Sequence, residues 1–204
     1  MSTDRTPRPS RHEARAADAR AAANPWVFST RELARRPGIM RTVARTVPGP
    51  GADDPEKAIG LVGVLAVPPD SPVELDLRLE SVTEGVYVSG TARARLAGEC
   101  SRCLDELDEE IEVRVEELFA YPDSVTEATT DEDEIPRLLD ERFDIEPTVR
   151  DAIVLELPLA PLCRDDCPGL CQECGGRRAD LGPDHGHETL DPRWAALRER
   201  LPSD

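Results

Sequence analysis

Val73-Glu74-Leu75-Asp76-Leu77-Arg78-Leu79-Glu80 alternates apolar and charged side chains without a break. A period of two belongs to a strand with one face buried and the other in water. Downstream, Thr83-Glu84-Gly85 turns the chain, and the alternation resumes through Val86, Val88, Ala92, Ala94 and Leu96. Ile111, Val113 and Val115 repeat it once more, and the apolar stretch from Ile59 to Val67 precedes it. About four antiparallel strands are therefore expected. The period changes after Pro147, where Val149, Ala152, Ile153 and Leu157 are spaced for one buried helical face and the proline sits at the first helical position. Asp191-Pro192 has the same start signal ahead of Trp194, Leu197 and Leu201, and Ser29 and Glu32 have capping-box spacing for a short helix ended by Pro37-Gly38. The expected fold is α+β: an antiparallel sheet of about four strands with flanking helices and a cysteine-rich C-terminal segment.

The 204 residues suffice for one domain and a tail. Residues 1–24 combine Arg, Ala and Pro with few large apolar groups, too few to offset the entropy of ordering, so they read as a disordered arm. Residues 25–204 read as a single domain, its cysteine-rich segment spanning 163–187. Pro48 to Lys57 and the acidic stretch Ser124 to Glu134 read as surface loops. The N-terminus lacks the apolar stretch of a secretory signal, and no run approaches the ~20 residues that span a bilayer. A soluble cytoplasmic protein without membrane contact is expected.

The formal charge of −17 is unevenly spread. Residues 1–50 hold ten Arg against four Asp/Glu, a net +6, which leaves −23 on residues 51–204. A body of that sign repels phosphate backbones, because nucleic-acid affinity rests largely on Lys/Arg contacts. RNA contact is thus expected to be indirect, or to run through the Arg-rich arm.

Cys100-Ser101-Arg102-Cys103 sits where a strand turns, and Cys163, Cys167, Cys171 and Cys174 follow about 60 residues later, trailed by His185-Gly186-His187. In a reducing compartment such spacing reads as a metal or redox site rather than as disulfides. Zinc takes four tetrahedral thiolate or imidazole ligands, and a two-residue gap lets backbone amides point at the sulfurs. Six Cys and two His make eight groups, the number that two complete sites need. One partition joins Cys100, Cys103, Cys163 and Cys167, tying the sheet to the C-terminal segment, and leaves Cys171, Cys174, His185 and His187 for the second site. The rival is a single four-cysteine site, either Cys163/Cys167/Cys171/Cys174 or the two Cys-x-x-Cys pairs together, with both histidines in solvent. One zinc ion or two are expected accordingly.

Catalysis is not expected. A thioredoxin-type pair needs its first Cys at a helix N-terminus, whereas Cys100 follows a strand and has Glu99, Asp105 and Glu106 for neighbours, which should raise its pKa. Zinc deaminases place His-x-Glu before Pro-Cys-x-x-Cys; here His187-Glu188 comes after the cysteines. No Ser/His/Asp set or phosphate-binding glycine loop occurs.

Four strings together, Cys100-Ser-Arg-Cys-Leu104, Glu146-Pro-Thr-Val-Arg-Asp-Ala-Ile-Val-Leu-Glu-Leu-Pro-Leu-Ala-Pro-Leu-Cys163, Gly169-Leu-Cys-Gln-Glu-Cys-Gly175 and Asp191-Pro-Arg-Trp194, resemble the YceD family over roughly Pro25 to Leu201. By position, Cys100 and Cys103 match that family's first Cys pair, and Cys163, Cys167, Cys171 and Cys174 match the cluster of its cysteine-rich branch. Where many of those relatives end in Cys-x-Cys, this chain has His185-Gly-His187, and both residue types ligate zinc. The resemblance implies a non-enzymatic role in ribosome biogenesis, supporting accumulation of large-subunit (23S) ribosomal RNA, and it carries over no catalytic residue. An acidic body with that role would meet a basic large-subunit ribosomal protein. The alternatives are a zinc-dependent thiol redox sensor and a zinc-ribbon nucleic-acid-binding regulator, the latter opposed by the charge of −23. Because residues 1–24 offer little to bury, deleting them should leave thermal melting of the protein unchanged; a large fall in melting temperature would show that they dock on the core.

Overall fold

The computed structural model describes residues 24–50, 57–61, 63–124 and 135–187. Among these, eight strands and one α-helix form: β1 (Val27–Ser29), β2 (Met40–Pro48), β3 (Gly60–Leu61), β4 (Leu65–Ala66), β5 (Pro72–Ser81), β6 (Gly85–Glu99), β7 (Glu106–Ala120), β8 (Arg142–Asp144) and α1 (Glu146–Glu156). All strand pairs are antiparallel. The main sheet has six strands rather than four. β6 pairs with β7 along one edge; along the other it pairs first with β5, which carries β2, and then with the short β4, which carries β3.

Two differences account for the count. The stretch from Ile59 to Val67 is two short strands joined by a tight turn, with Val64 N–H bonded to Leu61 O. Gly60 takes φ +116° there, and a Cβ on it would meet Leu65 O at 2.6 Å. β2 was hidden from the pattern because an arginine occupies an inward position. Register places Val47, Arg45 and Val43 opposite Val73, Leu75 and Leu77. The Arg45 guanidinium lies 3.9 Å from the centroid of the Phe28 ring and donates to the Pro25 and Val27 carbonyls, so its charge is met while its stem packs.

The inner face is built in rows. Leu75 stands opposite Ala92, which stands opposite Val113; Leu77 opposite Gly90, then Val115. Large side chains on β5 thus face small ones on the central strand, which keeps the layer even. A Cβ on Gly90 would meet Asp76 O at 2.0 Å, so this row needs glycine. Over the rows lie the antiparallel β1–β8 pair, the turn of 3-10 helix at Arg31–Leu33 and α1, which contributes Val149 and Ile153. All three phenylalanines of the chain meet here: Phe28 and Phe143 stack with centroids 5.5 Å apart, and Phe143 lies 4.4 Å from Phe119 of β7. A chain so poor in aromatics has placed its three phenylalanines where the small sheet meets the large one.

The helix content is lower than expected. The Ser29–Glu32 signal yields only the single 3-10 turn: Ser29 ends β1, Thr30 precedes the turn without a side-chain cap, and Ala34 closes it in the left-handed conformation. The helix expected after Asp191, the acidic stretch 125–134 and residues 1–23 lie outside the described residues. No helix among the described residues is long and apolar enough to cross a membrane. The rows make a direct test: Gly90→Ala should cost roughly 1–3 kcal/mol by overpacking against β5, read from urea unfolding, and a neutral result would contradict the close approach of β5 and β6.

Candidate metal centre

Cys100 follows β6 and Cys103 precedes β7, so the first Cys pair is the connection between the two longest strands. The turn closes through Leu104 N–H to Cys100 O (2.9 Å), and Leu104 takes φ +59° to do so. Cys171 to Cys174 forms the same turn: Gly175 N–H bonds Cys171 O at 2.8 Å, with φ +70° at the glycine. One turn spends strain on a leucine where the other uses glycine.

After α1 the described chain has no further strand or helix, yet residues 157–187 are placed by contacts to the first turn. Ser101 N–H donates to Pro161 O, Leu170 N–H donates to Arg102 O (3.1 Å), and the Arg102 guanidinium donates to Cys167 O (3.0 Å). Gly169, φ +73°, lets this approach happen, since a Cβ would sit 3.0 Å from Arg102 O. Arg177 forms an ion pair with Asp105 on the β7 side of the turn.

These contacts bring the eight groups into two sets of four. Cys100, Cys103, Cys163 and Cys167 have their sulfurs within 4.8 Å of one another. Cys100 Sγ is 3.8 Å from Cys167 Sγ, and Cys103 Sγ is 3.6 Å from Cys163 Sγ. No disulfide exists, and the separations far exceed the ~2.05 Å of one. They match the ~3.8 Å edge of a tetrahedron of thiolates placed 2.3 Å from a zinc ion. In the second set, Cys171 Sγ lies 3.3 Å from His187 Nε2, Cys174 Sγ 3.6 Å from His185 Nε2, and the two Nε2 atoms 2.9 Å apart. The imidazole edges converge on one another at hydrogen-bond distance, which leaves both Nε2 atoms facing the two sulfurs. Glu173 Oε2 stands 3.7 Å from the other ring nitrogen of His187, Nδ1. The grouping is the partition that joins the first Cys pair to Cys163 and Cys167; the two single-site arrangements would need sulfurs that the fold keeps in separate clusters.

The two sites differ in environment. Cys100, Cys103 and Cys167 are buried and only Cys163 is exposed, whereas in the second set only Cys171 is buried. The expectation that flanking carboxylates raise the Cys100 thiol is not what the surroundings do. Burial acts in that direction, but the backbone N–H groups of Cys163, Arg102 and Cys103 point at the sulfur and bring it down to about 6. At Cys171 the N–H groups of Cys174 and Glu173, with His185, bring the thiol to about 6 as well. Cys103 receives the Asp105 N–H, yet burial and the surrounding thiols hold it above its ordinary value. Each turn therefore prepares one thiolate, and in the first site Cys103 and Cys163, both raised, would ionise beside it only with a cation to offset the charge.

The contacts made by Arg102, Asp105, Arg177 and Glu173 are not legible in the sequence. Arg102 lies inside the first Cys pair and Glu173 inside the last, but nothing in their spacing tells which carbonyl or ring they meet.

If the first site joins the sheet to the C-terminal segment, Cys100→Ser with Cys103→Ser should loosen residues beyond Cys163 as well as the β6–β7 connection, since binding energy at a structural zinc is folding energy, on the order of 10 kcal/mol in small domains. Hydrogen exchange around Leu162 checks this, and unchanged protection would mean the segment holds itself. His185→Ala with His187→Ala should lower bound zinc from two equivalents to one and leave exchange at β6 and β7 intact.

The family described as large ribosomal RNA subunit accumulation protein YceD matches residues 88–199, which include all eight candidate ligands. An uncharacterized protein of Mycobacterium tuberculosis, Rv2926c, is 47% identical over 182 residues, covering 89% of this chain and 84% of that protein. ML1660 of Mycobacterium leprae is 42% identical over 181 residues, covering 89% and 80%. YlbN of Bacillus subtilis is 26% identical over 135 residues, 66% of this chain and 77% of that one. No solved structure matches. With more than half of its length matched by the family, and a relative at 47% identity across nearly all of it, the chain belongs to the YceD family.

Proposed function

We propose that this chain is a non-enzymatic zinc-binding protein of ribosome biogenesis that supports accumulation of large-subunit (23S) ribosomal RNA and acts in the cytoplasm through a basic large-subunit ribosomal protein. The observation that carries the reading is the family match across residues 88–199. Two physical arguments stand beside it. Each candidate site offers a complete set of four donors, and a zinc ion so enclosed keeps no open position for water or substrate, which is the character of a structural ion. The body carries −23 beyond residue 50, so it attracts Lys/Arg-rich surfaces and repels RNA, and association with a basic partner should be fast at low salt.

A redox sensor is less well supported. Sensing needs thiolates that are both ionised and accessible, yet Cys100 and Cys171, whose thiols are lowered, are buried, while the exposed Cys163 is raised.

A strain lacking the protein should show a lower ratio of large-subunit to small-subunit ribosomal RNA, measured on total RNA from growing cells; an unchanged ratio would reject the biogenesis role. Affinity purification at low salt should recover a basic large-subunit protein and lose it as ionic strength rises. Recovery of RNA without such a protein, abolished by removing residues 1–45, would place the contact on the Arg-rich N-terminal region instead.

A further inference from the structure

β7 is an edge strand, and its free side adjoins α1 across a groove of about 970 Å³. Ala120 already accepts a neighbour there: its N–H bonds Pro136 O and its C=O accepts Leu138 N–H, both at 2.9 Å, in a parallel bridge to Arg137. β6 and β7 stay in unbroken register from Glu106 to Ala120. Every second residue upstream of Ala120 therefore sends its N–H and C=O to the same free side, namely Leu118, Glu116, Arg114, Glu112 and Glu110. Leu118 N–H is met by the Glu117 carboxylate at 3.0 Å. From Glu110 to Glu116, no backbone group among the described residues pairs on that side.

The charge around this edge selects what could pair with it. Glu112, Glu116, Glu117, Asp144, Asp151 and Glu156 line the groove, against Arg114 as its one cation among the described residues. Leu155, 85% exposed, adds an apolar spot on α1. A second copy of the chain is a poor occupant, because β7 carries seven carboxylates and one arginine and self-pairing would set like charges side by side. The chain's own residues 125–134 hold five carboxylates and no cation, so they too are repelled. An extended segment with Lys or Arg at alternate positions and apolar residues between them has the complementary charge, the backbone groups to extend the sheet and a side chain for Leu155.

We infer that the free edge of β7 from Glu110 to Leu118 is the docking site for an extended Lys/Arg-rich segment of a partner protein, which adds as a strand to the sheet. The site deepens the reading of a basic partner given above and rests on it for the partner's identity, not for the chemistry of the edge.

The test uses the full-length zinc-loaded protein and a blocked twelve-residue peptide of alternating Arg and Val. Binding should shift the backbone amide resonances of Glu110 to Leu118 and weaken with salt. A peptide methylated on alternate backbone nitrogens, so that the edge it offers β7 carries no N–H, keeps its charge and should bind about tenfold or more weakly. Arg114→Pro should weaken the unmodified peptide by a similar factor; the substitution removes an N–H that faces the free side, where an edge strand tolerates proline. Glu112→Lys with Glu116→Lys should weaken it further. Equal affinity of the methylated and unmethylated peptides would overturn strand addition, and resonance shifts confined to the outer face of β5 and β6 would overturn the location. If a basic ribosomal protein is captured from cells undiminished by Arg114→Pro and by the charge reversal, the partner reading stands and this site falls. If the peptide docks at β7 but cells yield no basic protein, the site stands and the partner reading falls.

Discussion

The placement of residues 157–187 depends on one constraint: four sulfurs from two distant parts of the chain must share a small volume. That segment contributes few fully buried apolar side chains and no strand or helix, so burial alone does little to offset its conformational entropy. Closing Cys100 and Cys103 on Cys163 and Cys167 fixes it to the connection between β6 and β7. That connection joins the two longest strands, which are paired to each other through fifteen residues apiece. The second cluster then closes within the segment itself. Arg102 and the Arg177–Asp105 pair orient the two halves, but a few hydrogen bonds at a net ~1 kcal/mol each would not hold a loop of this length.

The same turn geometry links chemistry to fold. In each Cys-x-x-Cys turn the first sulfur collects backbone N–H groups and becomes the easily ionised one. A cation bound at such a thiolate would draw the remaining donors in, and metal uptake would then be coupled to ordering of the segment. The sheet serves as the platform for this, and its outer face and free edge, dense in carboxylates, set the sign of whatever approaches.

Much of this was legible in the residues. The alternation in β5, β6 and β7 named the inward side chains, since one face of each strand is buried and the other charged. The spacing of Val149 and Ile153 named the buried face of α1. Counting eight donors suggested the division into two sets, because tetrahedral ligation consumes them in fours. Elsewhere tertiary context overrode the local pattern. β2 was invisible because Arg45 sits in a row of apolar residues, its charge met by Phe28 and two carbonyls supplied from β1 and its entry. Ser29 has the spacing of a helix cap but is taken up by pairing with Arg142 of β8. The edge position of β7 depends on strand order, which alternation does not encode.

The most direct test of this account is the X-ray absorption fine structure of zinc in the purified protein. Two ions, one held by four sulfurs and one by two sulfurs and two imidazole nitrogens, predict an average shell of three sulfurs at ~2.3 Å and one nitrogen at ~2.0–2.1 Å, with no oxygen ligand. A pure four-sulfur shell would remove His185 and His187 from the centre, and a shell dominated by oxygen, with all six thiols free to react, would contradict the account altogether.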